Sequence, residues 1–203
     1  MAWIKGNLGL TAMTLTWVAS IAIGLFVVCA YSTTPGEAGV QQSLWPANCS
    51  LNLDQHRPTL LMFVHPRCPC SRASLSELAR TMAIAGEDIS ARVVFFAPDP
   101  ETADWSGGEL RPIAEAIPSL EVVDDRDGQL AAQFGIATSG HVLVYQPGGE
   151  LVFSGGLTVA RGHEGESTGR RAILALLNGE NNSTHTYPVF GCPLIEQNSS
   201  DLP

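Results

Sequence analysis

Residues 59–83, TLLMFVHPRCPCSRASLSELARTMA, decide how the rest of this chain is organised. The stretch begins with an apolar run of the length of a buried strand, which a His-Pro pair interrupts. Leu75, Leu78 and Met82 then recur at the spacing of an amphipathic helix. The pattern predicts a strand followed directly by a helix, with two cysteines at the junction.

Cys68 and Cys70 belong to the Cys-Pro-Cys sequence at this junction. Backbone N–H groups at the start of a helix are unpaired and carry about half a positive charge, so they lower the pKa of a thiol placed there. Arg67 and Arg72 flank the pair and act in the same direction. We therefore predict a reactive cysteine site here, supported by both arginines. The role of Cys70 stays open between a redox partner, a metal ligand and half of a structural disulfide.

The composition excludes one class of partner. The chain has 203 residues, enough for one domain with appendages, and a formal net charge of -9. It carries only 11 lysine and arginine residues against 20 acidic ones. A surface that binds nucleic acid needs clustered basic side chains, so we expect no nucleic acid partner.

An uncharged, mostly apolar segment occupies residues 8–30 and is long enough to cross a membrane, which needs about 20 residues. Lys5 precedes it and Glu37 follows it, so the positive-inside rule predicts that everything after it lies on the extracytoplasmic (periplasmic) side. We predict that residues 1–30 form a single-pass membrane anchor, with a cleaved signal segment as the alternative. Residues 31–44 are mostly small or polar, and they are predicted to form a linker.

The cysteines outside the apolar segment can pair, because an exported domain lies where disulfides persist. Cys29 falls inside that segment, which leaves four cysteines and three possible pairings. We predict a structural disulfide between Cys49 and Cys192, at opposite ends of the domain. The alternative is that Cys192 docks with the C-terminal tail, residues 181–203, and exchanges with Cys68.

The rest of the chain alternates strands and helices. The first strand and helix are followed by a strand, a helix, a strand, a short helix, a hairpin at a Pro-Gly-Gly turn and a final helix. Alternating β and α units with a closing hairpin predict an α/β domain whose mixed central sheet is covered by helices on both faces.

The strand, the cysteine pair at the start of a helix, and the closing hairpin and helix resemble the thioredoxin-like superfamily over residues 45–180. The motif Phe-x-His-Pro-x-Cys-Pro-Cys is also similar to that of RedB-type exported proteins. The resemblance implies a three-layer fold and places Cys68 on the family's nucleophile. Ser71 falls on the resolving cysteine, so that Cys70 lies one residue early, and Gly140 replaces the family's cis-proline.

The resemblance implies an extracytoplasmic thiol–disulfide oxidoreductase that acts on protein thiols or disulfides and requires no cofactor. Cys70, or failing that Cys192, would resolve the mixed disulfide formed by Cys68. A Cys-x-Cys disulfide closes a small, strained ring, and strain favours an oxidant or isomerase over a reductant. By fold analogy, the partners include assembly factors of respiratory or metal proteins.

A second hypothesis is copper delivery. Thioredoxin-like copper chaperones of the SCO type combine a cysteine pair in this position with one histidine late in the chain, and His163 lies in a late loop here. Cys68, Cys70 and His163 would form a soft ligand set suited to Cu(I). The two cysteines are closer in sequence here than in those chaperones.

Overall fold

The computed structural model describes residues 2–98, 108–180 and 185–194. It divides the chain into two compact units, Met1–Thr34 and Pro35–Pro203. The first unit is one helix, α1 (Ala2–Thr33). Its part Gly9–Thr33 has a mean hydropathy of 2.1 and is long and apolar enough to cross a membrane. The predicted apolar helix is therefore present, and it extends a few residues beyond residue 30.

The second unit is built on a six-stranded sheet. Its strands are β1 (Thr59–Val64), β2 (Ser90–Ala97), β3 (Leu120–Arg126), β4 (His141–Tyr145), β5 (Leu151–Gly156) and β6 (His185–Thr186). They lie in the order β3-β2-β1-β4-β5-β6. The strands β1, β2 and β3 run parallel to one another, β4 is antiparallel to both β1 and β5, and β6 is parallel to β5. The predicted mixed sheet is confirmed.

Helices cover both faces of the sheet. The helix bounds are α2 (Ser71–Ala85), α3 (Leu110–Glu115), α4 (Gln129–Phe134) and α5 (Thr168–Leu177). Side chains along β1 alternate between two apolar clusters: Leu60 and Met62 pack with α2, α3 and α5, whereas Leu61 and Phe63 pack with α4. Because the central strand is buried on both sides, the sheet lies between two helical layers, as predicted.

The predicted linker, residues 31–44, needs correction. From Pro35 onward the chain belongs to the compact unit, and its backbone is bonded to the sheet and its loops. The Tyr145 hydroxyl donates to the Gln42 carbonyl at 2.9 Å, and the Leu151 N–H donates to the Ser43 carbonyl at 2.9 Å. The domain therefore begins at residue 35 rather than 45. Small polar residues look like a tether in sequence, but here their carbonyls accept hydrogen bonds from distant donors.

Candidate active site

The Cys-Pro-Cys sequence forms a tight turn between β1 and α2, which we call the cysteine turn (residues 65–70). The Cys68 N–H donates to the His65 carbonyl at 3.0 Å, and the Ser71 N–H donates to the Cys68 carbonyl at 3.1 Å. Cys70 is the residue before the first residue of α2 and already has helical dihedral angles, φ −67° and ψ −27°. The turn therefore places the Cys68 sulfur at the N-terminal end of α2.

A segment from the far end of the chain reaches the same place. We call residues 187–194 the docked tail. The Ser139 N–H donates to the Cys192 carbonyl and the Leu194 N–H donates to the Ala137 carbonyl, both at 2.8 Å, in antiparallel pairing. Leu194 is buried in the cluster that contains α4. These contacts fix Cys192 beside the cysteine turn.

Close packing explains why residue 191 is glycine. A Cβ atom added to Gly191 would lie 1.8 Å from the Ser139 carbonyl oxygen, so a larger residue cannot occupy this position without moving the tail. Glycine thus allows the tail backbone to approach the loop before β4.

The sulfur atoms of Cys68, Cys70 and Cys192 lie within 4.8 Å of one another. The structure does not contain the predicted Cys49–Cys192 disulfide. Cys49, Cys68, Cys70 and Cys192 are all free thiols. Cys49 is half-buried against the α4 cluster, and its sulfur accepts the Leu51 N–H at 3.4 Å. Pairing of the tail with the loop before β4 explains why Cys192 lies with the cysteine turn.

Hydrogen bonds favour a thiolate at Cys68. Burial raises the pKa of this thiol, but bonds from the Ser71 hydroxyl, the Cys192 N–H and thiol, and the Ser71 N–H outweigh burial, so the pKa falls below its ordinary value. The residue is only 1% exposed. The cause therefore differs in detail from the sequence prediction, since neighbouring donors, including the N–H and the thiol of Cys192 in the tail, lower this pKa.

The other two sulfurs are held as thiols. Burial, followed by the charge of Cys68, raises the pKa of Cys70, while the Arg161 guanidinium opposes this. Burial also raises the pKa of Cys192, to about 12, followed by its hydrogen bond to Cys68 and the charge of that sulfur. As the pH rises, Cys68 is therefore the first of the three thiols to ionise.

The arginines are arranged differently from the sequence prediction. The side chain of Arg72 pairs with Glu109 at 2.5 Å on the surface. Arg67 is exposed, and its backbone N–H donates to His65 Nδ1 at 3.2 Å. Their role in stabilising the thiolate stays a prediction.

Sequence reasoning missed Arg161. Its guanidinium donates to the Gly191 carbonyl and lies beside Cys70 and Cys192. The one signal in the sequence is its position two residues before His163, a predicted metal ligand. His163 is exposed and is not part of the sulfur group found among the described residues.

The loop before β4 supports the turn. The hydroxyl groups of Ser71 and Ser139 are 2.7 Å apart and buried, and the Ser139 hydroxyl also accepts the His65 N–H at 2.8 Å. Gly140, at the position where the resemblance places a cis-proline, has φ +86° and donates its N–H to the Phe63 carbonyl at 2.7 Å. Glycine allows this left-handed backbone.

A surface pocket of about 470 Å³ opens next to the cysteine turn. Its lining includes Cys68 and, among described residues, no member of the docked tail. A partner therefore has a route to Cys68 that the tail does not occupy. The residues that line the pocket are Pro66, Arg67, Cys68, Pro69, Arg72, Gly108, Glu109 and Leu110.

No protein-family model and no curated protein matches this sequence. Solved structures do match. A hypothetical protein from Sinorhizobium meliloti is 21% identical with a TM-score of 0.57, and the match covers 80% of this chain and 94% of that one. An uncharacterized conserved protein from Geobacillus kaustophilus is 18% identical with a TM-score of 0.59, covering 83% and 95%.

A secreted Mycobacterium tuberculosis disulfide oxidoreductase matches at 13% identity and a TM-score of 0.43, covering 63% of this chain and 84% of that one. Only the first two of these matches, with TM-scores above 0.5, bear on this chain, and at their low identities they bear on its fold alone. With the cysteine turn after the central strand, the parallel β1–β2–β3 unit and the antiparallel β4–β5 hairpin, the fold is thioredoxin-like. The narrower resemblance to RedB-type proteins stays a prediction.

Proposed function

We propose that this protein is a membrane-anchored, extracytoplasmic thiol–disulfide oxidoreductase with Cys68 as its nucleophile. The observation that carries the proposal is the position of Cys68 at the start of α2 with two further sulfurs within 4.8 Å, where donors on Ser71 and Cys192 lower its pKa. A thiolate is the reactive form of cysteine, and these donors favour it at one sulfur of the three.

The exchange proceeds in two displacements. The Cys68 thiolate attacks one sulfur of a partner disulfide, forming a mixed disulfide and releasing the other partner sulfur as a thiolate. A second thiolate of this protein, from Cys70 or Cys192, then attacks Cys68 and releases the remaining partner sulfur. The protein loses two electrons and its partner gains two; the reverse sequence oxidises a partner dithiol. Neither direction requires a cofactor.

The partners are protein thiols or disulfides outside the cytoplasm. The apolar helix α1 would hold the domain at a membrane, near partners that are themselves membrane-bound. By fold analogy, these include assembly factors of respiratory or metal proteins.

The test compares Cys68→Ala with Cys49→Ala in the full-length protein in detergent. Exchange is followed with a dithiol peptide and with its disulfide form, in glutathione buffers that set the redox potential. We expect Cys68→Ala to lose at least about a hundredfold in rate, as expected when a covalent nucleophile is removed, whereas Cys49→Ala retains the rate. Equal rates for the two variants would overturn the proposal.

Metal binding is a second candidate, favoured by the three sulfurs within 4.8 Å of one another. Thiolates are soft ligands that suit Cu(I). The structure changes the predicted ligand set, because Cys192 joins Cys68 and Cys70 whereas His163 lies on an exposed loop.

The metal candidate is tested by titrating the reduced protein with Cu(I) against a chromogenic chelator. One tightly bound equivalent that is lost in Cys192→Ala and kept in His163→Ala supports the three-sulfur site. Loss in His163→Ala would restore the sequence-based ligand set, and no tight binding would eliminate this candidate.

A further inference from the structure

The resolving sulfur is left undecided by the exchange chemistry alone. Residue 71, the first residue of α2, is the position from which a cysteine could face Cys68, but it is a serine and supplies no thiol. Both Cys70 and Cys192 have their sulfur within 4.8 Å of Cys68, so distance does not separate them. The two cysteines differ instead in how the surrounding backbone holds them.

Cys70 is constrained by the same turn that holds Cys68. One residue, Pro69, separates the two cysteines, and its ring fixes the backbone between them. Cys70 also has helical dihedral angles because α2 begins at the next residue. A bond between these sulfurs would close a small ring against both restraints, and distorted disulfides are costly.

Cys192 reaches Cys68 from a separate segment. Its sulfur lies within 4.8 Å of the Cys68 sulfur, and its N–H and thiol, with Ser71 on the helix side, are the groups that lower the pKa of Cys68. The tail that carries it is fixed at two backbone bonds to the loop before β4 and at the Arg161 contact to Gly191. A disulfide here would leave the cysteine turn and α2 in place.

The pocket beside the turn gives the partner its own approach. Cys68 is 1% exposed but lines this pocket together with Pro66, Pro69 and Leu110, and none of the pocket's described lining residues belongs to the tail. A partner bound there and the docked tail can therefore contact Cys68 at the same time. In the resolving displacement the attacking sulfur approaches Cys68 while the partner sulfur is still bonded to it. The partner and the docked tail must therefore be at Cys68 together.

We propose that Cys192, rather than Cys70, is the resolving cysteine, which rests on the proposed function of Cys68. In the first step Cys68 forms a mixed disulfide and the partner's first thiolate leaves. In the second step the Cys192 sulfur, having given up its proton to solvent, forms a bond to Cys68 and the partner's second thiolate leaves. The product is a Cys68–Cys192 disulfide, with two electrons transferred to the partner.

The test is a single-turnover reaction of the reduced full-length protein with one equivalent of a chromogenic aromatic disulfide. The background carries Cys29→Ala and Cys49→Ala, so that only the three clustered sulfurs react. Each disulfide releases one chromophore when Cys68 is modified and a second when the adduct is resolved. We expect two chromophores in this background and in Cys70→Ala, but one in Cys192→Ser, with the adduct trapped on Cys68.

Cys192→Ser keeps the backbone N–H and a hydroxyl donor, so it separates loss of the resolving sulfur from undocking of the tail. Mass spectrometry of the unreduced product locates the bond, which we expect to join the peptides of Cys68 and Cys192. A Cys68–Cys70 bond, or two chromophores from Cys192→Ser, would overturn the inference. A trapped adduct in Cys70→Ala would overturn it as well. If Cys68→Ala releases chromophore at the normal rate, the proposed function itself fails.

Discussion

The cysteine turn and the docked tail bring sulfur to the same point by different physical means. The turn is held by bonds between near neighbours, such as the Cys68 N–H to the His65 carbonyl at 3.0 Å. The tail is held by pairing with Ala137 and Ser139, which lie far from it in sequence. Local geometry thus fixes Cys68, whereas long-range pairing fixes Cys192, and the two can be disturbed separately.

Glu77 connects α2, the helix after the cysteine turn, to the loop whose Arg161 contacts the docked tail, and its substitution is expected to give the largest effect. Its buried carboxylate pairs with Arg170 and Arg80 and accepts the Gly165 N–H at 2.8 Å, joining α2 to the loop that carries Arg161. Breaking a buried pair costs about 3–5 kcal/mol. Because both arginines are partly exposed and can turn to solvent, we expect Glu77→Gln to lower the free energy of unfolding by about 2 kcal/mol.

Urea denaturation of the full-length protein measures this loss. The matched control is Glu121→Gln, which removes an exposed carboxylate paired with Arg92 at 2.6 Å. Such surface pairs contribute about 0.2–1 kcal/mol. Equal losses in the two variants would mean that Glu77 does not hold these elements together.

Gly191→Ala should separate the tail from the turn. The added Cβ would meet the Ser139 carbonyl oxygen, and forced overlap of this kind costs about 1–3 kcal/mol. We therefore expect native-state alkylation of Cys192 to become about tenfold faster or more. The control is Gly148→Ala, where the same methyl group enters open space. Unchanged alkylation of Cys192 would show that the tail is not held by this contact.

Ser71→Ala should weaken the turn and leave the tail in place. The substitution removes a hydroxyl that donates to Cys68, so the pKa of that thiol rises and less thiolate is present at neutral pH. A hydrogen bond is worth about 0.5–1.5 kcal/mol, so the exchange rate should fall about two- to tenfold.

The control for Ser71→Ala is Ser76→Ala on the same helix. The Ser76 hydroxyl donates to Glu164 at 2.9 Å, away from the sulfurs. The rate of exchange at neutral pH is compared for the two variants. An equal rate in both would remove Ser71 from the account.

Arg72→Ala should give the smallest effect. Its side chain pairs with Glu109 at the surface, and exposed pairs are worth about 0–1 kcal/mol. We expect the exchange rate to change less than about twofold, and Glu109→Ala to behave in the same way. A larger loss in Arg72→Ala alone would restore the role that the sequence predicted for this arginine.

Most of the fold could be predicted because it rests on local periodicity. The apolar run that ends at Val64, the helical spacing of Leu75 and Leu78, and the hairpin turn each leave a pattern within a few residues. These patterns predicted the strand, the helix, the site between them and the mixed sheet. The position of Cys68 at the start of α2 followed from the same stretch.

The contacts that depend on distant parts of the chain could not be predicted. Hydrogen bonds from Tyr145 to Gln42 and from Ser139 to Cys192 join backbone groups that leave no periodic trace in sequence. Hence the sequence predicts a linker over residues 31–44 and a disulfide between Cys49 and Cys192, and it does not indicate Arg161. The apolar residues around Cys192 indicated that the tail docks, but not where.

The charge on Cys68 is the central claim, and its pH titration tests that claim most directly. The thiolate absorbs in the ultraviolet even when it is buried, and the Cys68→Ala protein supplies the baseline. Since hydrogen bonds lower the pKa of this thiol, thiolate absorbance should persist as the pH falls below about 8.5, the ordinary value for cysteine. The exchange rate should then fall with the same midpoint. A midpoint at or above the ordinary value would contradict the account.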